Sequence, residues 1–223
     1  MDLIIENFFN VAVLKETYPY LLRGFFMMLQ LCIIVIPVGI AAGLVVAVLG
    51  SFGIAWLRRI LIVYVDLFRA LPPLVLLVFV YQGLPMLGVN ISGLGAVVLS
   101  FMLNTSAYYG EIFRAGIESI PRGQHEAARS TGMTRLGTMI YVILPQAVRN
   151  VVPDLISNTL EVVKLTSIAS VVALPELLRM ARLAQGATYN PTPLIAAAVI
   201  YLAVCWPLVR LLSRFERKMT VRA

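Results

Sequence analysis

Apolar residues run through this chain in long blocks, broken at intervals by short clusters of glycine, proline and charge. From Gly24 to Leu49 there is no charged residue. Those 26 positions make about 39 Å of helix, enough to cross a bilayer core of about 30 Å. Gly50-Ser51-Phe52-Gly53 then turns the chain, and Arg58-Arg59 marks its polar bank. Further apolar blocks follow over 60–84, 91–112, 148–174 and 194–212. The pattern predicts an all-α membrane protein of about five transmembrane helices, in a single domain over 1–223. Pro37 and Gly39 are expected to kink the first span, and Asp66, Arg69, Pro72 and Pro73 interrupt the second. Residues 1–19 mix charges with apolar pairs such as Phe8-Phe9 and read as a short interfacial segment.

Composition agrees: 60% of the 223 residues are hydrophobic and 13% charged, against about 25% charged in soluble domains. The first twenty residues carry Asp2, Glu6, Lys15 and Glu16 and do not resemble a cleavable leader. A net charge of +7 would suit a nucleic-acid binder, but its distribution points elsewhere. Twelve Lys and Arg fall near the turn at 50–59, the loop at 113–149 and the C-terminal tail, against four on the opposite bank (Lys15, Arg23, Arg179 and Arg182). By the positive-inside rule the N-terminus is outside and the C-terminus cytoplasmic. The basic surplus is then a topology signal, and no nucleic acid is expected. Cys32 and Cys205 fall inside spans and read as buried, inert thiols. His125 is the sole histidine, so no metal-ligand set is expected.

The cytoplasmic loop over 113–147 holds the most unusual stretch. Glu126 to Thr131 reads as a short helix, Gly132 as its stop, and Thr134 or Met133 as the start of the next helix. A helix–glycine–helix elbow between spans suits a rigid knob that docks into a partner. Glu126-Ala127-Ala128, then Gly132, then Val142-Ile143-Leu144-Pro145 resembles the E-A-A, G, I-x-L-P pattern of the membrane subunits of bacterial ABC importers, with Val in place of Ile. Phe68-Arg69-Ala70-Leu71-Pro72-Pro73, Tyr109 to Gly116, Ile120 to Gln124, and Lys164-Leu165-Thr166-Ser167 are similar to the polar-amino-acid branch, which includes histidine, glutamine, glutamate, arginine and opine permeases.

The resemblance implies a type I ABC-importer transmembrane fold in a bacterial cytoplasmic (inner) membrane. It implies a second permease subunit, identical or homologous, two cytoplasmic ATPase subunits, and an extracytoplasmic amino-acid-binding protein as partners, besides membrane lipid. The elbow would be the coupling helix, with Gln124, Glu126, Ala127, Ala128, Thr131, Gly132 and Pro145 as the ATPase-coupling residues. No cofactor is expected on this chain, ATP and Mg belonging to the partner ATPase. The residues agree, because none of the three lysines follows the glycine that a P-loop requires, and no catalytic constellation stands out.

Candidate chemistry inside the spans is sparser. Asp154, Ser157, Asn158, Glu161 and Lys164 fall within an arc of about 120° on one helix, a polar stripe at membrane depth. Either Glu161 and Lys164 neutralise each other structurally, or Asn158, Glu161 and Lys164 line a substrate pathway in which the two charges complement an amino acid's ammonium and carboxylate. Asn104 and Ser106, with Thr105, line that pathway or act as polar glue between helices. Asp66 and Arg69, three apart, are expected to form a structural ion pair. Glu111 and Arg114 bracket the end of the third span, His125 reads as a surface residue, and Glu176 to Arg182 reads as an amphipathic helix on the outer side. The competing function is an ion-gradient-driven secondary transporter using Glu161, Asp66 or Glu111.

Overall fold

The computed structural model describes residues 6–220, with side chains to Arg214. Asp2 and Arg222 therefore lie outside the described residues, as do the side chains of Arg217 and Lys218. In chain order the helices are α1 (Val11–Ser51), α2 (Ala55–Ala70), α3 (Pro73–Met86), α4 (Gly93–Glu118), α5 (Arg122–Ser130), α6 (Arg135–Val172), α7 (Leu177–Thr188) and α8 (Thr192–Thr220). No strand occurs among the described residues.

Among the described residues, three helices are long and apolar enough to cross a membrane: Glu6–Ser51, which contains α1, then α6, and α8 over Thr192–Arg214. A fourth span appears only if α2 and α3 count as one bent crossing. The expected second span over 60–84 is thus broken. Pro72 and Pro73 supply no backbone N–H and disfavour a helical residue before them, so α2 ends at Ala70 and Pro73 opens α3. The expected third span is α4, whose 26 residues are long enough but diluted by Asn104, Thr105, Ser106, Tyr108 and Tyr109. The interfacial segment before Gly24 is also not separate, because α1 is one unbroken helix of 41 residues that passes Pro37.

The chain groups into two compact units. The first comprises Met1–Val35, Pro73–Phe101 and Leu160–Leu211. The second comprises Ile36–Pro72, Met102–Thr159 and Leu212–Ala223. In the first, Leu21, Met28, Leu177, Ala181 and Ala197 form a buried core. Gly24 lets α1 lie against α7 so closely that a Cβ there would come within 2.6 Å of Leu177 Cα. Glu176 is fully buried at the N-terminus of α7; its Oε2 accepts from Leu178 N–H at 2.9 Å and its Oε1 accepts from the Tyr201 hydroxyl. The outer-side amphipathic helix expected over Glu176–Arg182 is therefore α7 with a buried apolar face of Leu177, Met180, Ala181 and Ala184. Its Arg179 donates to the Ser170 carbonyl at 3.5 Å.

In the second unit α1 packs on α4 through Gly39 and Gly43, spaced so that both fall on one helix face. A Cβ at Gly43 would lie 2.6 Å from Tyr109 Cβ and 2.7 Å from Gly110 N. Tyr109 is fully buried there, its hydroxyl 2.9 Å from Thr159 Oγ1 on α6. Gly116 repeats the device, taking the α6 backbone at Ala147 against α4, where a Cβ would meet that carbonyl at 3.0 Å.

Candidate functional site

The elbow is built by α5, the turn after it and the first turn of α6. Pro121 precedes α5, so the helix opens at Arg122, four residues earlier than the sequence reading places it. Pro121 offers an extended residue with no N–H to satisfy, a start signal that the Glu-Ala-Ala stretch obscures. The far end matches expectation. Gly132 adopts φ +82°, a left-handed conformation that glycine takes without a Cβ penalty. Thr134 caps α6, its side-chain oxygen accepting from Gly137 N–H at 3.1 Å. Arg129 Nη1 donates to the Met133 carbonyl at 2.6 Å and closes the turn from outside. Two short bonds tie the helix end to itself: Ser130 Oγ to the Glu126 carbonyl at 2.9 Å, and Thr131 Oγ1 to the Ala128 carbonyl at 2.8 Å.

Glu126 and Ala127 point outward on α5, Ala128 is buried beneath it, and Gln124 lies 3.4 Å from Gln146 Nε2 on α6. The result is a short, internally fastened helix with one polar face free. Pro145 sits farther along α6, two residues past a π-turn over Met139–Ile143. A proline cannot donate to the carbonyl four residues back, and its ring crowds that carbonyl; the widened turn accommodates both. Pro85 follows the π-turn Phe79–Gly83 at the same spacing.

A cleft of about 980 Å³ opens beside the elbow, bordered by the end of α1, the start of α2 and the end of α4. His125 is half-buried on its wall and is not the plain surface residue expected. Arg114 joins Glu111 through Nε at 2.9 Å and Nη2 at 2.6 Å, and Glu118 through Nη1 at 2.6 Å. These hydrogen bonds to Glu111 and then Glu118 hold the Arg114 guanidinium above its already high ordinary pKa. The ion pair expected between Asp66 and Arg69 is not formed. Arg69 reaches across to α4, its guanidinium 5.5 Å from the Tyr108 ring centre and 3.8 Å from Glu111, while Asp66 faces the cleft. Three-residue spacing permits a pair, but an aromatic face and a carboxylate on the neighbouring helix compete for the same guanidinium.

The polar residues of the spans divide in two. On α4, Asn104 and Ser106 are buried and bonded: Asn104 Nδ2 donates to the Phe68 carbonyl at 2.9 Å, and Ser106 Oγ lies 2.7 Å from Tyr64 Oη. Both bonds run from α4 to α2, the helix-to-helix role read for them. On α6, Asp154, Ser157, Glu161 and Lys164 are exposed and Asn158 half-buried. Lys164 Nζ and Glu161 Oε1 are 2.5 Å apart, with side chains 52% and 67% exposed.

A model of the family of binding-protein-dependent transport system inner membrane components matches residues 36–221. The chain is 34% identical over 201 residues to the probable amino-acid ABC transporter permease protein YckA of Bacillus subtilis (strain 168), covering 90% of this chain and 89% of that one. It is 34% identical over 206 residues to the arginine transport system permease protein ArtQ of the same organism, covering 90% and 93%. Among solved structures, a chain of an amino acid ABC transporter crystallised with histidines superposes with a TM-score of 0.82 at 36% identity, covering 92% of this chain and 96% of that one. An inward-facing MetNI methionine ABC transporter chain shares the fold, with a TM-score of 0.77 at 22% identity over 92% and 98% of the two chains.

Proposed function

The chain belongs to the family of binding-protein-dependent transport system inner membrane components, and from that premise we propose that it forms the membrane pathway for a polar amino acid or close derivative delivered by a binding protein. It is a multi-pass subunit of the cytoplasmic membrane and the permease part of an ABC importer, a family of non-catalytic subunits that works with ATPase and substrate-binding partners. ATP and Mg reside on two cytoplasmic ATPase subunits. A second permease, identical or homologous, completes the pathway. The ion-gradient-driven alternative is set aside on family membership.

The observation that carries this reading is the fastened elbow. A nine-residue helix stopped by a left-handed glycine, followed by a threonine-capped start of α6 and presenting Glu126 and Ala127 outward, has more structure than a connection requires. In this proposal it sits in a groove of the ATPase. ATP binding closes the two ATPases and draws the elbows together, and the pathway opens toward the loaded binding protein. The basic residues around the turn at 50–59 and the loop at 113–149 support a cytoplasmic elbow and an external N-terminus.

Asn158, Glu161 and Lys164 are the pathway candidates of this reading. Charges at membrane depth rarely face lipid, and their exposure on α6 supports a partner permease or a water-filled path against that face. The test is a gentle-detergent pull-down from native membrane with mass identification of every co-purifying chain. The expected result is an ATPase equal in copy to total permease, lost in Gly132→Asp and Glu126→Lys. A chain that purifies alone and moves solute under an ion gradient would sink the proposal.

A further inference from the structure

The cleft beside the elbow is more cationic than the helix packing around it explains. Glu111 and Glu118 are both engaged by Arg114, and Arg69 adds a second cation to Glu111 at 3.8 Å. Those carboxylates are therefore spoken for. Arg58, Arg122, Arg129 and Arg135 line the same cleft, and Asp66 is the acid on its wall outside that network. One of these guanidiniums is fastened, Arg129 by the Met133 carbonyl at 2.6 Å; Arg135 lies over the Gly53 turn, where a Cβ would come within 3.1 Å of Nη2.

A second observation is independent of charge. Thr138 lines the cleft with only 3% of its surface exposed, yet its hydroxyl has no hydrogen-bond partner among the described residues. Buried hydroxyls are ordinarily paired; Thr105 Oγ1 and Asn158 Nδ2 are unpaired as well, but of the three only Thr138 borders this cleft. The wall beside it is aliphatic, through Val46, Leu61, Ile62 and Val65.

We infer that this cleft binds a phosphate-bearing anion, its oxygens taken by the arginine cluster and the Thr138 hydroxyl and its carbon part by the aliphatic wall. A lone carboxylate would occupy one guanidinium fork and leave the remaining positive charge of the cleft uncompensated. A phosphate offers more oxygens and up to two charges, matching several forks at once. Two sources present that chemistry: the headgroup of an acidic phospholipid, which basic pockets between membrane helices on the cytoplasmic side take up, and a soluble phosphate ester. The cleft consists of this chain's own residues; only its access from the cytoplasm rests on the orientation proposed above.

The test uses the assembly purified with its co-purifying subunits, and its readout is bound ligand, independent of transport. Radiolabelled phosphatidylglycerol in a phosphatidylcholine background is one arm, and radiolabelled inorganic phosphate the other. Retention of phosphatidylglycerol about tenfold above labelled phosphatidylcholine is expected, falling about tenfold in the Arg58→Gln, Arg122→Gln double variant. Thr138→Val, which keeps side-chain shape, is expected to weaken retention with an unchanged melting temperature, and Arg210→Gln on α8 to leave it unchanged. Retention that inorganic phosphate does not displace identifies a lipid headgroup; displacement or direct retention of phosphate identifies a soluble ester. Equal retention of the two lipids with no phosphate bound, or retention indifferent to both the arginine and threonine variants, overturns the inference. So does a double variant that loses the ATPase while binding ligand normally, since the arginines would then serve protein docking.

Discussion

The polar residues of α4 and those of α6 look equally out of place in an apolar sequence, and they meet opposite fates. Asn104, Thr105, Ser106 and Tyr109 are buried, and three of the four reach a partner on another helix: the Phe68 carbonyl, Tyr64 Oη and Thr159 Oγ1 respectively. Asp154, Ser157, Glu161 and Lys164 face outward, and the pair they contain is internal to α6. Spacing is what separates them. Three consecutive polar residues cannot share one face of a helix, so those of α4 are tolerable only where neighbours surround it. Residues recurring at three and four occupy one face and leave the rest of α6 free to pack. Polar groups of the first kind contribute stability; those of the second contribute a surface.

Four experiments bear on that contrast. The largest effect is expected where α4 has no room at all. Gly43→Val places atoms on the Gly110 backbone, and a loss of about 3 kcal/mol or more should appear as a collapsed yield of monodisperse protein in detergent. Asn104→Leu removes the donor to the Phe68 carbonyl, with an expected loss of about 2 kcal/mol in thermal unfolding. Tyr64→Phe leaves Ser106 its bond to the Leu103 carbonyl and should lose only about 1 kcal/mol. On α6 the order reverses. A Glu161→Gln, Lys164→Met double-mutant cycle should give a coupling below about 1 kcal/mol, because the pair is more than half exposed, while uptake falls about tenfold. Stability lost with uptake intact would place the pair among the structural residues and erase the distinction.

Much of this was legible before the fold, and the misses share one cause. The elbow's glycine stop and threonine cap follow from local rules, since a left-handed turn and an N-cap are decided within five residues, and both are observed. The break at Pro72-Pro73 is equally local; the sequence reading registers it as an interruption and the structure as the end of α2. What failed needed a partner from elsewhere. Arg69 is the same residue whether it bonds Asp66 or crosses to Tyr108 and Glu111, and spacing alone cannot rank those choices. Glu176 reads as the polar start of a surface helix, but its carboxylate is buried under Tyr201. The available signal was Tyr201, a hydroxyl in an apolar run that needs an acceptor. The cleft beside the elbow was invisible because its residues come from five separate helices.

The π-turn over Met139–Ile143 has a consequence for the proline of the Leu-Pro pair. Its closing bond runs from Leu144 N–H to the Met139 carbonyl, five residues back, so the turn holds one residue more than an ordinary helix would. One residue corresponds to about 100° of azimuth. Pro145 makes the ordinary spacing unavailable, and so it fixes the compass bearing at which the elbow leaves the span. In Pro145→Ala the turn can relax, and Arg135 to Thr138 would turn relative to the span, separating Gln124 from Gln146, now 3.4 Å apart. The ring at position 145 thus works as an index mark: it favours one setting of the start of α6 over the others without touching the elbow.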